Sequence, residues 1–144
     1  MSVVLAQPAP PATRGRRLLA PGLTIGGLAL ATLALHVRDP HQHGSWGFCP
    51  SAAMGFYCLG CGGLRAVNDL THGDVGAALS SNILVTLLIP VVSLGLLVWL
   101  ADRWRGRTRE LNAARITRVA VLFCVVAVAF AVVRNTSFGA WLAP

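Results

Sequence analysis

Three long apolar stretches, bounded by arginines, constrain this chain more than any other feature. Residues 18–37 carry no charge over 20 positions, about the length that crosses a hydrocarbon core of roughly 30 Å. Residues 82–101 form a second run with Pro90 inside it and Trp99 and Trp104 at its far end, where interfacial aromatics belong. The third, 119–133, is shorter. Snorkelling arginines at 118 and 134 would let residues 116–133 serve as an upright span. Only 12% of the residues are charged, against roughly 25% in a soluble domain. Lipid is therefore the expected solvent for most of the chain.

The apolar run at 18–37 exceeds a signal-peptide core of about 7–15 residues and reads as a retained anchor. Pro21 is expected in its first turn. Gly22 with Gly26, and Gly27 with Ala31, form small-xxx-small pairs that would let a neighbouring helix approach closely.

Arginine sets the orientation. Arg103, Arg105, Arg107, Arg109, Arg115 and Arg118 crowd the second connection, and Arg14, Arg16 and Arg17 precede the first span. Short cytoplasmic loops collect such residues. Residues 1–17 are therefore expected to be a disordered basic cytoplasmic tail, with 18–144 forming one membrane domain. Within it, 102–115 is expected to be a cytoplasmic loop, and 38–81 and the C-terminus to face outward. The net charge of +7 lacks the basic patch with interleaved aromatics that nucleic acid requires, so no nucleic-acid partner is expected. All 12 basic residues other than histidine are arginine, which is compatible with a GC-rich bacterial genome; the expected location is a bacterial cytoplasmic membrane.

Residues 46–64 also lack charge, but crossing there would expose the arginine loop outside. The glycines and Pro50 also make a poor lipid-facing helix. This segment is expected to dip into the interface or re-enter. The expected fold is all-α: three transmembrane helices, with a Cys-rich interfacial or re-entrant loop and short amphipathic helices between the first two.

The chemistry concentrates in that loop. After Cys61, Leu64, Val67 and Leu70 recur at helical spacing, Gly73 is placed to end the helix, and Asp74 to cap the next. Cys61, Arg65, Asp69 and His72 share one helix face. An Arg65–Asp69 pair at i,i+4 would neutralise that face if it turned toward the spans, and a solvated face is the alternative.

Cys58 and Cys61 before a helix could also be reactive thiols. Helix-end N–H groups and Arg65 would stabilise a thiolate, although the βαβ context of thioredoxin-like motifs is missing. Cys49, Cys58 and Cys61 with one histidine would instead make a Cys₃His zinc set, with His41, His43 and His72 as fourth-ligand candidates and His72 preferred. A plain structural disulfide is the third reading. Cys124 in the third span is expected to be a packed core residue. Asn135-Thr-Ser137 matches a glycosylation acceptor.

The run Cys49-Pro50, Gly55, Cys58-Leu-Gly-Cys61-Gly-Gly-Leu-Arg65-Ala66, His72-Gly73-Asp74, Ala77-Ala78 and Asn82 resembles a family of small bacterial membrane proteins, domain of unknown function 2752. The resemblance spans about 48–105, and residues 134–144 also look familial. Leu59, Leu64 and Ile83 depart from the proline, threonine and proline usual in that family. The resemblance implies a bacterial multi-span membrane protein and supplies no reaction.

Three functions follow as expectations. The first is a non-enzymatic membrane protein whose Cys-rich loop is a disulfide or zinc clip, with lipid, other membrane helices or a second copy as partners. The second is a membrane thiol–disulfide oxidoreductase using Cys58 and Cys61, with Arg65 stabilising the thiolate. The third is a protein that binds zinc or copper.

Overall fold

The computed structural model describes residues 13–42, 46, 50–107, 109–110 and 112–143. Those residues fold into helices and loops with no strand among them. Helix α1 spans Arg14–Val37, α2 Pro50–Ala53, α3 Gly63–Thr71, α4 Val75–Trp104 and α5 Ala113–Arg134. A 3₁₀ helix at Ser137–Leu142 follows. Helices α1, α4 and α5 are long and apolar enough to cross a membrane, and little of any of them is buried by protein. The expected all-α membrane fold is observed.

Helix α1 begins at Arg14, four residues before the apolar run. Arginine is a good helix former, so the basic segment extends the helix at its N-terminal end, and Pro21 lies inside the helix rather than in its first turn. Residues 1–12 of the expected tail lie outside the described residues. An added Cβ at Gly22, Gly26 or Gly27 would meet nothing within 4 Å, so no other segment among the described residues packs against the small-residue stripe.

The segment from 46 to 64 holds no helix of membrane-spanning length among the described residues. Its described part holds the single turn of α2 followed by a largely exposed loop. Trp46 Nε1 donates to the Arg38 carbonyl at 2.6 Å, tying the segment to the end of α1.

Helix α3 ends as its sequence predicts. Gly73 adopts φ +81°, where only glycine sits without strain. Asp74 then accepts from the Ala77 N–H at 2.8 Å to cap α4. Helix α4 is broken at Asn82, whose φ of −164° and ψ of 98° are extended. The stretch before it is the short helix expected after Asp74, and the span proper starts after the break.

Helices α1, α3 and α4 pack together. The tightest point is the crossing of α3 and α4, where Ala66 and Ala78 are fully buried. Leu64, which recurs at helical spacing with Val67 and Leu70, is 46% exposed. Gly63, Ala66, Asn68 and Asp69 take the buried positions of α3 instead. Helix α5 packs on the 3₁₀ helix, which in turn packs on α4. Cys124 is exposed along α5, so it faces outward from the bundle rather than filling a core.

Candidate functional site: the Cys58–Cys61 turn

The local sequence makes Cys58 to Gly63 a tight turn. The Cys61 N–H donates to the Cys58 carbonyl at 3.1 Å, and the Gly63 N–H to the Gly60 carbonyl at 2.8 Å. Gly62 takes φ +78° and starts α3. A Cβ on Gly63 would sit 3.3 Å from the Val85 side chain, so glycine there lets the turn lie close against α4. This geometry brings the two sulfurs within 3.1 Å of each other, and the Cys58 N–H also donates to Cys61 Sγ at 3.2 Å. Ser51 Oγ lies 4.0 Å from Cys61 Sγ. Cys61 is buried and Cys58 half-buried.

Two side chains from distant spans hold the backbone of this turn. Asn82, fully buried at the break in α4, donates from Nδ2 to the carbonyls of Leu59 at 2.9 Å and Cys61 at 3.0 Å. Its Oδ1 accepts from the Val85 N–H at 3.0 Å and caps the membrane span. Thr86 completes the break, donating to the Ala78 and Asn82 carbonyls at 2.8 Å each. One amide therefore starts a span and anchors the cysteine turn.

The second anchor is Arg134, at the end of α5 and 1% exposed. Its Nη1 donates to the carbonyls of Cys58 at 3.0 Å and Cys61 at 3.2 Å, and its Nη2 to the Leu142 carbonyl at 3.0 Å. The rings of Phe130 and Tyr57 lie 5.0 Å and 5.8 Å from the guanidinium carbon, within cation–π range. Both accepting positions of the Cys61 carbonyl are thus used, one by Asn82 and one by Arg134. An arginine closing a short span is expected to snorkel. The Arg134 guanidinium turns inward because the turn offers carbonyl acceptors where the apolar span offers none.

Asn135 reinforces the junction. It accepts from the Tyr57 N–H and donates to the Tyr57 carbonyl, both at 2.9 Å, a strand-like pairing by one side chain. Gly139 makes room for the returning chain: any Cβ there would run into the Val133 carbonyl oxygen.

The polar face of α3 is satisfied differently from expectation. Asp69 does not pair with Arg65. Its Oδ2 accepts from Ser81 Oγ at 2.8 Å, and its Oδ1 lies 3.3 Å from His41 Nε2. Ser81 and His41 reach the buried side of Asp69, whereas Arg65 is half-buried and has no ion-pair partner among the described residues. His41 Nδ1 lies 2.8 Å from Asp39 Oδ1, so each ring nitrogen faces a carboxylate and only the protonated ring can donate to both. The His41 backbone N–H donated to Asp39, followed by its ring, holds the Asp39 carboxyl below its usual 3.8. Asn68 is buried and donates to the Leu35 carbonyl at 2.7 Å, satisfying the end of α1.

His72 stacks on His36, with ring centroids 4.3 Å apart. Its Nδ1 lies 2.9 Å from the Asn68 carbonyl oxygen. His36 Nδ1 in turn meets Thr71 Oγ1 at 3.0 Å. The structure thus joins Cys58 and Cys61 in direct contact. Cys49 and His43 lie outside the described residues. No group of three or more His, Cys, Asp or Glu residues placed to hold a metal occurs among the described ones.

The sequence signal that could have found Arg134 is its position. An arginine closing a short span, followed by an asparagine, needs acceptors that lipid does not provide.

Residues 49–96 match the model of a family described as a protein of unknown function (DUF2752). That segment contains Cys49, the Cys58–Cys61 turn, α3, Asn82 and the first part of the α4 span. Arg134 and Asn135 lie beyond it. No curated protein and no solved structure matches the chain.

Proposed function

We propose that this protein is a non-enzymatic membrane component in which the Cys58–Cys61 turn is a structural clip that joins the third span to the first two. The observation that carries this reading is the convergence of Asn82 from α4 and Arg134 from α5 on the Cys61 carbonyl. Removing the turn would leave a buried guanidinium facing lipid without acceptors, a costly arrangement. The reading also puts 38–81 and the C-terminus on one membrane face, the outer face of a bacterial cytoplasmic membrane, because the arginine-rich segments lie at the opposite ends of the spans.

The cross-link within the clip is a disulfide or a zinc ion held by Cys58, Cys61 and Cys49. Zinc takes four ligands, and Cys58 and Cys61 supply two, so Cys49 and one histidine complete the set. The experiment is substitution of both Cys58 and Cys61 by serine, with measurement of membrane abundance and of proteolysis between residues 50 and 62. The clip predicts several-fold lower abundance and faster cleavage; metal content or mass-tag counting on the wild-type chain then separates zinc from disulfide.

A second reading rests on the sulfur contact of 3.1 Å and on the greater exposure of Cys58. In a thiol–disulfide oxidoreductase, the Cys58 thiolate attacks a partner disulfide and displaces one partner thiolate. Cys61 then resolves the mixed disulfide, leaving a Cys58–Cys61 bond and a reduced partner. Unchanged abundance of the double serine variant, with loss of a trapped mixed disulfide, would favour this chemistry over the clip.

A further inference from the structure

At the far end of α4 from the cysteine turn, the chain folds back over the helix it has just completed. The Arg107 N–H donates to the Asp102 carbonyl at 2.8 Å. Arg109 Nε pairs with the Asp102 carboxylate. Asp102 is buried beneath this return. Beside the fold-back lies an open cavity of about 280 Å³, lined by Gly95, Val98 and Trp99 and by Asp102, Arg103, Arg107 and Arg109.

The lining is amphiphilic in the way a lipid is. Gly95, Val98 and Asp102 fall on one face of the last turns of α4, since i, i+3 and i+7 positions align. Its apolar part runs into the membrane-spanning segment. Its charged part sits level with Trp99 and Trp104, at interfacial depth. Asp102 neutralises Arg109 and leaves Arg103 and Arg107 without an ion-pair partner among the described residues.

The N-terminus of α1 adds charge at the same end. The Arg14 guanidinium lies 4.4 Å from the Trp104 ring centroid. Arg17 packs against Gly106, which has φ +72°, and its buried Nε has no hydrogen-bond partner among the described residues. Guanidiniums collected with so few carboxylates call for an anion, and arginine pairs with phosphate oxygens in a two-pronged geometry.

The geometry points to a binding site for the phosphate headgroup of an anionic phospholipid in this cavity, with Arg103 and Arg107 on the phosphate and an acyl chain along Gly95 and Val98. A lipid fits better than a free phosphate because a free ion would leave the apolar lining unused. Basic pockets beside membrane helices take such headgroups.

The test uses the full chain purified in a neutral detergent. Native mass spectrometry counts bound phosphatidylglycerol, phosphatidylcholine or inorganic phosphate. The wild type is expected to retain one phosphatidylglycerol about tenfold more strongly than phosphatidylcholine, and excess inorganic phosphate is expected not to displace it. The pair Arg103→Gln and Arg107→Gln should lower phosphatidylglycerol retention about tenfold.

Gly95→Leu provides a second arm with every arginine intact. A Cβ at Gly95 meets nothing within 4 Å, so leucine fills the cavity without displacing the backbone, and retention should fall similarly. Equal retention by either variant overturns the proposal. So does equal retention of both lipids, or displacement by inorganic phosphate at the same concentration as lipid. A thermal unfolding midpoint within about 2 °C of wild type confirms that a loss reflects the site. Should the arginine pair unfold, Gly95→Leu alone decides.

Discussion

Asn82→Ala removes a residue that both starts a membrane span and holds the cysteine turn. The Val85 N–H loses its cap acceptor, which costs about 1 kcal/mol. The Leu59 carbonyl loses the Asn82 amide, and an acceptor left unsatisfied costs about 1–3 kcal/mol. The Cys61 carbonyl keeps Arg134 and adds little. The sum is about 2–4 kcal/mol, or roughly 5–15 °C in unfolding midpoint for a chain of this size. Intrinsic tryptophan fluorescence during heating in detergent micelles reads it.

Asn82→Asp separates the two roles, because it keeps the cap oxygen and replaces both N–H donors with an acceptor facing two carbonyls. It should destabilise at least as much as alanine at pH 7. An alanine variant within about 1 °C of wild type would refute the anchor, and an aspartate variant as stable as wild type would reduce Asn82 to a helix cap.

Three shorter predictions accompany it. Gly139→Ala forces a Cβ onto the Val133 carbonyl oxygen and should open the 3₁₀ helix, read as faster amide exchange over 137–142; unchanged exchange contradicts the close approach. Asn68→Ala leaves the Leu35 carbonyl without its donor and should lower stability by about 1–3 kcal/mol, measured by the same fluorescence melt. The Asp39–His41 contact has a defined pH dependence. The Asp39 carboxyl is held below 3.8, mainly by the His41 backbone N–H, so its contribution is present above about pH 4 and fades as pH falls through the depressed value. Proteolysis at 38–42 should therefore accelerate below that pH in the wild type and be fast at all pH values in Asp39→Asn.

Much of the fold was legible from the sequence because membrane spans are written in composition. The charge-free runs located α1, α4 and α5 to within a few residues, and Gly73 and Asp74 marked the end of α3 and the start of α4 by local backbone chemistry. Local rules misled where two or more elements compete for one group. Arg65 and Asp69 have the spacing of a helix pair, yet Ser81 and His41 arrive from other segments and claim the carboxylate. Nothing within a few residues of position 69 encodes that.

Arg134 is the larger lesson. Read alone, it ends a span and points to water. Its acceptors are the Cys58 and Cys61 carbonyls, 76 and 73 residues earlier in the chain. The span boundary at Asn82 was legible, but Ser81 and Ile83 beside it give no sign that its amide binds the Leu59 and Cys61 carbonyls. Cys58 and Cys61 were identifiable as the centre of interest, whereas the side chains that hold them were not.

The most direct test of the clip is the alkylation rate of Cys61 in the folded protein, resolved by peptide mass spectrometry, in wild type and in Arg134→Leu. Cys124→Ser serves as the common background, so that the exposed thiol on α5 does not consume reagent. If the guanidinium secures the turn, Cys61 is slow to label after mild reduction in the wild type and labels at least about tenfold faster in Arg134→Leu, with Asn135→Ala in between. Equal rates in all three chains would mean that the third span does not hold the cysteine turn, and the central claim would fail.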